Sequence, residues 1–302
     1  MHLRLCLTFA FLLAAVGSSV AQEKWAASLL DPSSVPAEIR EERRDSASGG
    51  LPDGLVDRYE GNGDIASAWY AGPTNRYRHG VLGDAVEASA LIVQTPAGKE
   101  LTLSLPETEV FEDRYPRLED LDGDGRIEVV TIRSSTNLGA SVTVYGIEDN
   151  ALVERASTKF IGRANRWLNI AGIASFRGRP GKEVAFVKTP HIGGTLFIYE
   201  FAEDTLGLVG TLAGFSNHKI GATELRLSAV ADVNGDGRID LALPSDDRRT
   251  LRIVGFVDGV LVELASAKLP PRIDKAIAVR GSGEDARFVV GLENGKVYEV
   301  HR

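Results

Sequence analysis

The chain has 302 residues, 43% of them hydrophobic, with 42 acidic against 34 basic side chains and a formal net charge of −8. That is enough apolar material for one sizeable core, and the acidic balance excludes nucleic acid, whose binding rests on a basic face that neutralises phosphates. The only cysteine is Cys6, which excludes a disulfide framework.

His2 and Arg4 lead into an apolar run over residues 5–16, too short to span a bilayer, and Ser19-Val20-Ala21 supplies small residues for cleavage before Gln22. Residues 1–21 therefore read as a signal peptide and the mature protein as periplasmic or secreted. Removing them takes away Arg4 and no acid, so the net charge of −8 becomes −9, and it takes away Cys6. No later segment is long and apolar enough for a membrane span. Residues 22–50 are polar and poor in aromatics, with one short helical stretch at 37–44, and are expected to be a linker or a loosely docked arm ahead of a single domain over 51–302.

From about Asp64 onward, short β-type segments are divided by Gly, Asp, Asn and Pro, and long helical periodicity is absent. Residues 77–84, 90–94 and 101–105 form a first compact unit. Residues 118–132, 141–145 and 152–158 form a second, in which two strands flank an acidic loop. The same order recurs at 169–187, 195–199 and 206–212, and again at 226–243, 251–256 and 260–267. A last unit, at 275–280, 288–291 and 296–300, lacks its outer strand, which Asp64-Ile-Ala-Ser-Ala-Trp69-Tyr70 can supply. Four strands per unit at a spacing of roughly fifty residues is the signature of a β-propeller blade. The expected fold is all-β: a single propeller of five four-stranded blades closed by pairing of N- and C-terminal strands, or of six or seven blades if units are merged.

Two loops carry the chemistry: Asp120-Leu-Asp122-Gly-Asp124-Gly-Arg-Ile-Glu128 and Asp232-Val-Asn234-Gly-Asp236-Gly-Arg-Ile-Asp240. Oxygen-bearing side chains at alternate positions, with glycines between them, aim hard ligands at one point, as a calcium ion taking about six to eight oxygens requires. An EF-hand is excluded, because its bidentate Glu at the twelfth position is replaced here by Thr131 and Leu243. The residues following each loop are short, apolar and partly β-branched, so the loops join strands.

The loop with its strand, through Ile132, resembles the FG-GAP or VCBS repeat of integrin-α-type propellers, and residues 232–243 match the same motif. The mature sequence also resembles exported bacterial proteins carrying such repeats, a likeness that implies no particular activity. In that family the loop between the first two strands of a blade holds calcium. Carried over, this implicates Asp120, Asp122, Asp124, Arg126 through its carbonyl, and Glu128. The second site would use Asp232, Asn234, Asp236, Arg238 through its carbonyl, and Asp240. The equivalent stretch of the middle unit, Ser175-Phe-Arg177-Gly-Arg179-Pro-Gly-Lys182-Glu183, has bases in place of acids. It should hold no calcium, and a guanidinium can take the cation's place beside a carboxylate.

A second constellation is Arg76-Tyr77, Arg114-Tyr115 and Arg166-Trp167, each placed just before the first strand of a unit. Equivalent positions in successive blades face one rim, so these residues, with His79, His191 and His218, are expected to ring the channel mouth and to bind a sugar or an acidic peptide. The competing reading is that the aromatics wedge between blades while Arg fastens loops. The three histidines lack close spacing, which makes a transition-metal site a weak signal. No Gly-x-Ser-x-Gly elbow and no mature cysteine is present. The favoured function is thus a monomeric, calcium-stabilised module recognising a protein or glycan of the cell envelope without catalysis. The alternative is an exported carbohydrate-active enzyme using acids such as Asp64, Asp84, Glu224 or Asp274 in a central funnel.

Overall fold

The β-branched and aromatic runs separated by glycine turns form mostly antiparallel strands, in a computed structural model that describes residues 23–40 and 42–302. The expected signal peptide lies outside the described residues. Five four-stranded antiparallel meanders follow one another along the chain. The first comprises Asp57–Arg58, Ser67–Thr74, Glu87–Gln94 and Glu100–Ser104. The second comprises Arg117–Glu119, Glu128–Ser135, Gly139–Glu148 and Ala151–Ser157, and the short strand Glu109–Phe111 joins it to the first in one nine-stranded sheet. The third is Leu168–Ala174, Glu183–Lys188, Thr195–Ala202 and Thr205–Ala213. The fourth is Ala229–Ala231, Asp240–Pro244, Thr250–Val257 and Val260–Lys268, with Glu23–Lys24 added in parallel at its edge. The fifth is Ile273–Arg280, Arg287–Leu292 and Val297–His301, completed by Ala26–Leu29.

That last pairing corrects the sequence expectation. Asp64 to Tyr70 does not supply the missing outer strand; Ser67–Thr74 is the second strand of the first meander, and Ala26–Leu29 pairs with Val297–His301 in the register Ala27↔Val300. The physical reason is burial. A second strand is covered on both faces, as Ala68, Tyr70 and Ala71 are, whereas an outer strand is largely solvated and needs no apolar run. Residues 77–84, expected as a strand, form a loop, its Tyr77, Val81 and Leu82 buried and the last two part of the core of the second and third meanders.

Consecutive meanders share apolar cores. Tyr70, Leu91 and Val93 meet Val129 and Tyr145 between the first and second meanders. Val130, Ile132 and Val144 meet Ile170, Val184 and Phe186 between the second and third. Val187 and Ile198 meet Leu241 and Val254 between the third and fourth, and Ile253 and Ala265 meet Phe288 and Val290 between the fourth and fifth. The stretch read as a loose arm is packed: Trp25 lies against Phe288, and Ile39, on the single helical turn Ala37–Arg40, lies on Ala276 and Val289 of the fifth meander. The chain then crosses to the first meander, where Gly50 bridges to Ala71.

The loops joining first to second strands are tied each to the next. Ile127 N–H donates to Asp64, Lys182 N–H to the Leu121 carbonyl, Ile239 N–H to the Ser175 carbonyl, and Gly283 N–H to the Asp232 carbonyl. Successive connections of an antiparallel meander alternate ends. The loops joining second to third strands, and those leading from one meander to the next, therefore gather at the opposite end. Among the described residues no helix is long and apolar enough to cross a membrane.

Candidate functional site

The acidic loops are wound by their own side chains. Asp120 accepts hydrogen bonds from the backbone N–H groups of Gly123 (2.8 Å) and Gly125 (3.1 Å), Asp122 from Asp124, and Asp124 from Arg126 (2.7 Å). Gly123 and Gly125 sit at φ +81° and +86°, the left-handed conformation that glycine adopts without strain. The winding brings one oxygen from each of Asp120, Asp122 and Asp124 within 4.8 Å of one another. In the second loop Asp232 accepts from Gly235 (2.7 Å) and Gly237 (3.0 Å), Asn234 from Asp236, and Asp236 from Arg238. There the Arg238 guanidinium also lies on Asp236, so a cation entering that loop must displace it.

The ninth residue of each loop opens the second strand and is buried. Glu128 accepts from Leu121 N–H at 2.9 Å and Asp240 from Val233 N–H at 3.1 Å. Burial, reinforced by Asp122 and Asp124, pushes the Glu128 carboxyl up to about 7; burial with Asp236 and Asp232 pushes Asp240 up to about 7. This donor set of clustered carboxylates, crowded enough to hold a proton near neutrality, fits a hard divalent cation. The guanidinium of Arg126 points away, 3.7 Å from Asp64.

The third loop repeats the frame without the acids. Glu183, in the ninth position, accepts from Phe176 N–H (2.8 Å), and the guanidinium of Arg177 binds Glu183 at 2.7 Å while reaching Glu200. A fixed side-chain cation thus stands beside the buried carboxylate, as the sequence leads one to expect. Arg177→Ala is expected to destabilise the fold by about 1–3 kcal/mol, because it strands Glu183, and to leave calcium stoichiometry unchanged. Urea denaturation and calcium titration of the variant check both parts.

At the opposite end the structure brings five of the expected ligand-binding residues around a sixth that the sequence did not single out, Glu112. His79 Nδ1 lies 2.6 Å from Glu112 Oε1, Ser134 donates to the other carboxylate oxygen, and the Trp167 indole N–H donates to the Glu112 carbonyl at 2.9 Å. Tyr77 Oη accepts from Asn165 N–H at 2.8 Å. His191 stacks on Trp167 with ring centroids 6.1 Å apart, and His218 meets the same indole edge-on at 4.7 Å. Burial lowers His191 to about 4 and His218 to about 3, so both rings are neutral near pH 7. Burial raises Glu112, against the pull of His79 and Ser134. Burial, with Glu112 and Asp84, also raises its neighbour Glu87, to about 10.

The three arginines act as fasteners. Arg76 donates to the carbonyls of Glu109 and Leu105, Arg114 to those of Asp53 and Thr223, and Arg166 to that of Asn165. Tyr115 is buried, with Arg44 and Arg117 over its ring at 4.1 Å and 4.6 Å. Trp167 and Tyr77 are likewise buried. The open rim of Arg and aromatic residues expected from sequence is instead a packed cap.

One of several concave spaces lies along the first strands. A cavity of about 470 Å³ is lined by Asp57, Arg58 and Tyr59 of the first meander, Arg117 and Glu119 of the second, residues 170–173 of the third and Arg226 ahead of the fourth. Arg44, from the N-terminal arm, reaches into it and pairs with Asp57 at 3.0 Å. Arg226 is held by Glu224 and by Glu42 of the same arm. The acids proposed for a funnel are each engaged elsewhere: Asp64 with Ile127 N–H, Asp84 with Val86 N–H, Glu224 with Arg226, and Asp274 with Lys219 at 3.3 Å.

No family model matches the sequence, and no curated protein matches it. Solved structures do. A Bacillus licheniformis rhamnogalacturonan lyase, PL11, superposes with TM-score 0.51 at 16% identity, over 85% of this chain and 51% of the lyase. The exotype rhamnogalacturonan lyase YesX gives 0.49 at 17% identity, over 83% and 48%. BBS1N in complex with ARL6DN gives 0.46 at 12%, over 83% and 66%. The chain spans about half the length of these lyases. At such identities the likeness concerns the all-β fold alone.

Proposed function

We propose that this chain is an exported five-bladed β-propeller, held by calcium in two of its blades, that binds an acidic glycan in the axial cavity without cleaving it. The observation that carries the reading is the cavity itself, set where the first strands of successive meanders converge and edged by the exposed Arg58 and the half-buried Tyr59. A flat apolar ring beside forked cationic donors suits a sugar bearing carboxylates. The loop-to-loop hydrogen bonds and the shared cores of consecutive meanders support the cyclic arrangement, and the pairing of Ala26–Leu29 with the last strand supports its closure.

Catalysis by paired acids is disfavoured by the lining. Two carboxyl groups facing one open pocket are required, and here Asp57 is engaged by Arg44 and Glu119 by Lys182, leaving Glu60. The buried carboxyls Glu87, Glu112 and Asp113, all raised by burial, are not on the cavity wall. Binding of uronate-containing oligosaccharides, rhamnogalacturonan fragments among them, should exceed binding of neutral ones. Tyr59→Ala and Arg58→Ala should each weaken it about tenfold, the effect of about 1.4 kcal/mol. Calorimetry with equal affinity for neutral sugars, or with both variants binding like the parent, would refute the assignment. Product analysis of the same mixtures decides between binding and cleavage.

A further inference from the structure

The imidazoles of His191 and His218 meet nitrogen to nitrogen. His191 Nε2 lies 2.9 Å from His218 Nδ1, a separation within about half an ångström of that between two nitrogens bound to one tetrahedral zinc at 2.0–2.1 Å. The other nitrogen of His218 is committed: Nε2 lies 2.8 Å from the Ala222 carbonyl, which can only accept, so Nε2 carries the proton and Nδ1 presents a bare lone pair to His191. Trp167 stacks on one ring and abuts the other, fixing both orientations.

His79 completes the group from the loop that joins the second and third strands of the first meander. Its Nδ1 is bound by the Glu112 carboxylate, which leaves Nε2 free, and the Glu112 carbonyl accepts from the same Trp167 that both other rings pack on, so His79 belongs to the same cap. A carboxylate or carbonyl on the far nitrogen of each ligating ring is how metal-binding histidines are oriented; Glu112 serves His79 in that way and the Ala222 carbonyl serves His218. We propose that His191 Nε2, His218 Nδ1 and His79 Nε2 form a transition-metal site of the zinc class, at the end of the molecule opposite the acidic loops. The ligand set is nitrogen only, which separates it chemically from those loops, since hard calcium takes oxygen and imidazole favours zinc or copper. Because His218 Nδ1 accepts, His191 Nε2 carries the proton of that contact, and a metal binding there moves it to His191 Nδ1. The pair as it stands is spaced for two ligands, and the His79 ring must swing toward it to supply the third. The inference is independent of what the axial cavity binds.

Chelator-stripped protein, resaturated with calcium, is titrated with zinc by calorimetry and with cobalt(II) by visible absorption. One equivalent per chain and the intense ligand-field bands of tetrahedral cobalt are expected. His191→Gln and His218→Gln should each lower zinc affinity by more than about a hundredfold, beyond what loss of an outer hydrogen-bond partner costs, and His79→Gln by at least about tenfold. Should His218→Gln fail to fold, His191→Gln, at the more exposed ring, carries the test alone. Asp122→Ala should leave zinc binding unchanged. Absence of zinc uptake, uptake unaffected by His191→Gln, or loss of uptake through Asp122→Ala would overturn the site; full affinity in His79→Gln would overturn its three-histidine form.

Discussion

Withdrawal of calcium is expected to lower the melting temperature by about 10–20 °C. Two sites saturated a hundredfold above their dissociation constants contribute about 2.7 kcal/mol each, and each kcal/mol shifts a domain of this size by about 2–4 °C. The size of the drop should depend on pH. Glu128 and Asp240 sit near 7 in the folded protein against 4.5 and 3.8 for the free groups. The cation-free fold therefore binds more protons than the unfolded chain between about pH 4 and 7 and loses stability as pH rises through that window. Calcium replaces those protons and relieves the crowding of Asp122, Asp124, Asp232 and Asp236. Cation-free protein should thus melt higher at pH 5 than at pH 8, and the gain on adding calcium should be larger at pH 8. Asp122→Ala and Asp236→Ala should each remove part of that gain. Calorimetric scans at the two pH values, with and without chelator, test the set; equal melting temperatures under all four conditions would refute calcium's role.

The winding of the acidic loops was legible because it is written in consecutive residues: alternating oxygens that accept from the loop's own N–H groups, glycines at left-handed positions, and a carboxylate that both opens the next strand and caps the loop through Leu121 or Val233. Arg177 beside Glu183 was legible for the same reason, as a substitution inside a known frame. Residues 64–70 are apolar since they lie inside the first meander, while Ala26–Leu29 is an outer strand whose exposed side chains leave no hydrophobic period to read. Residues 77–84 carry the buried Val81 and Leu82 of a strand, yet their backbone bonds to a loop, as Val81 carbonyl does to Gly221 N–H, while the side chains join the core of the second and third meanders. The fastening role of Arg76, Arg114 and Arg166 depends on which carbonyls lie within reach, and the meeting of His79, Glu112, His191 and His218 on distant loops brought to one end. Neither leaves a local trace in the sequence.

The remaining large effect concerns the N-terminal arm. Trp25 is buried against Phe288, in the core that the fourth and fifth meanders share with Ala26–Leu29 nearby. Trp25→Ala is expected to cost about 3–5 kcal/mol, the usual range for emptying a large aromatic site in a packed core. The indole Nε1 is buried without a hydrogen-bond partner, so Trp25→Phe removes a stranded donor along with some volume and should cost less than half as much. Deleting residues 23–29 goes further, because it strips both Glu23–Lys24 from the fourth meander and the outer strand from the fifth, exposing the backbone of Val297–His301 as an open edge. That variant should unfold at lower urea than Trp25→Ala and self-associate through the bared strand, visible as a concentration-dependent rise in light scattering. A deletion variant that stays monomeric and matches the parent's urea midpoint would show that the arm is an appendage and that the five meanders hold together without it.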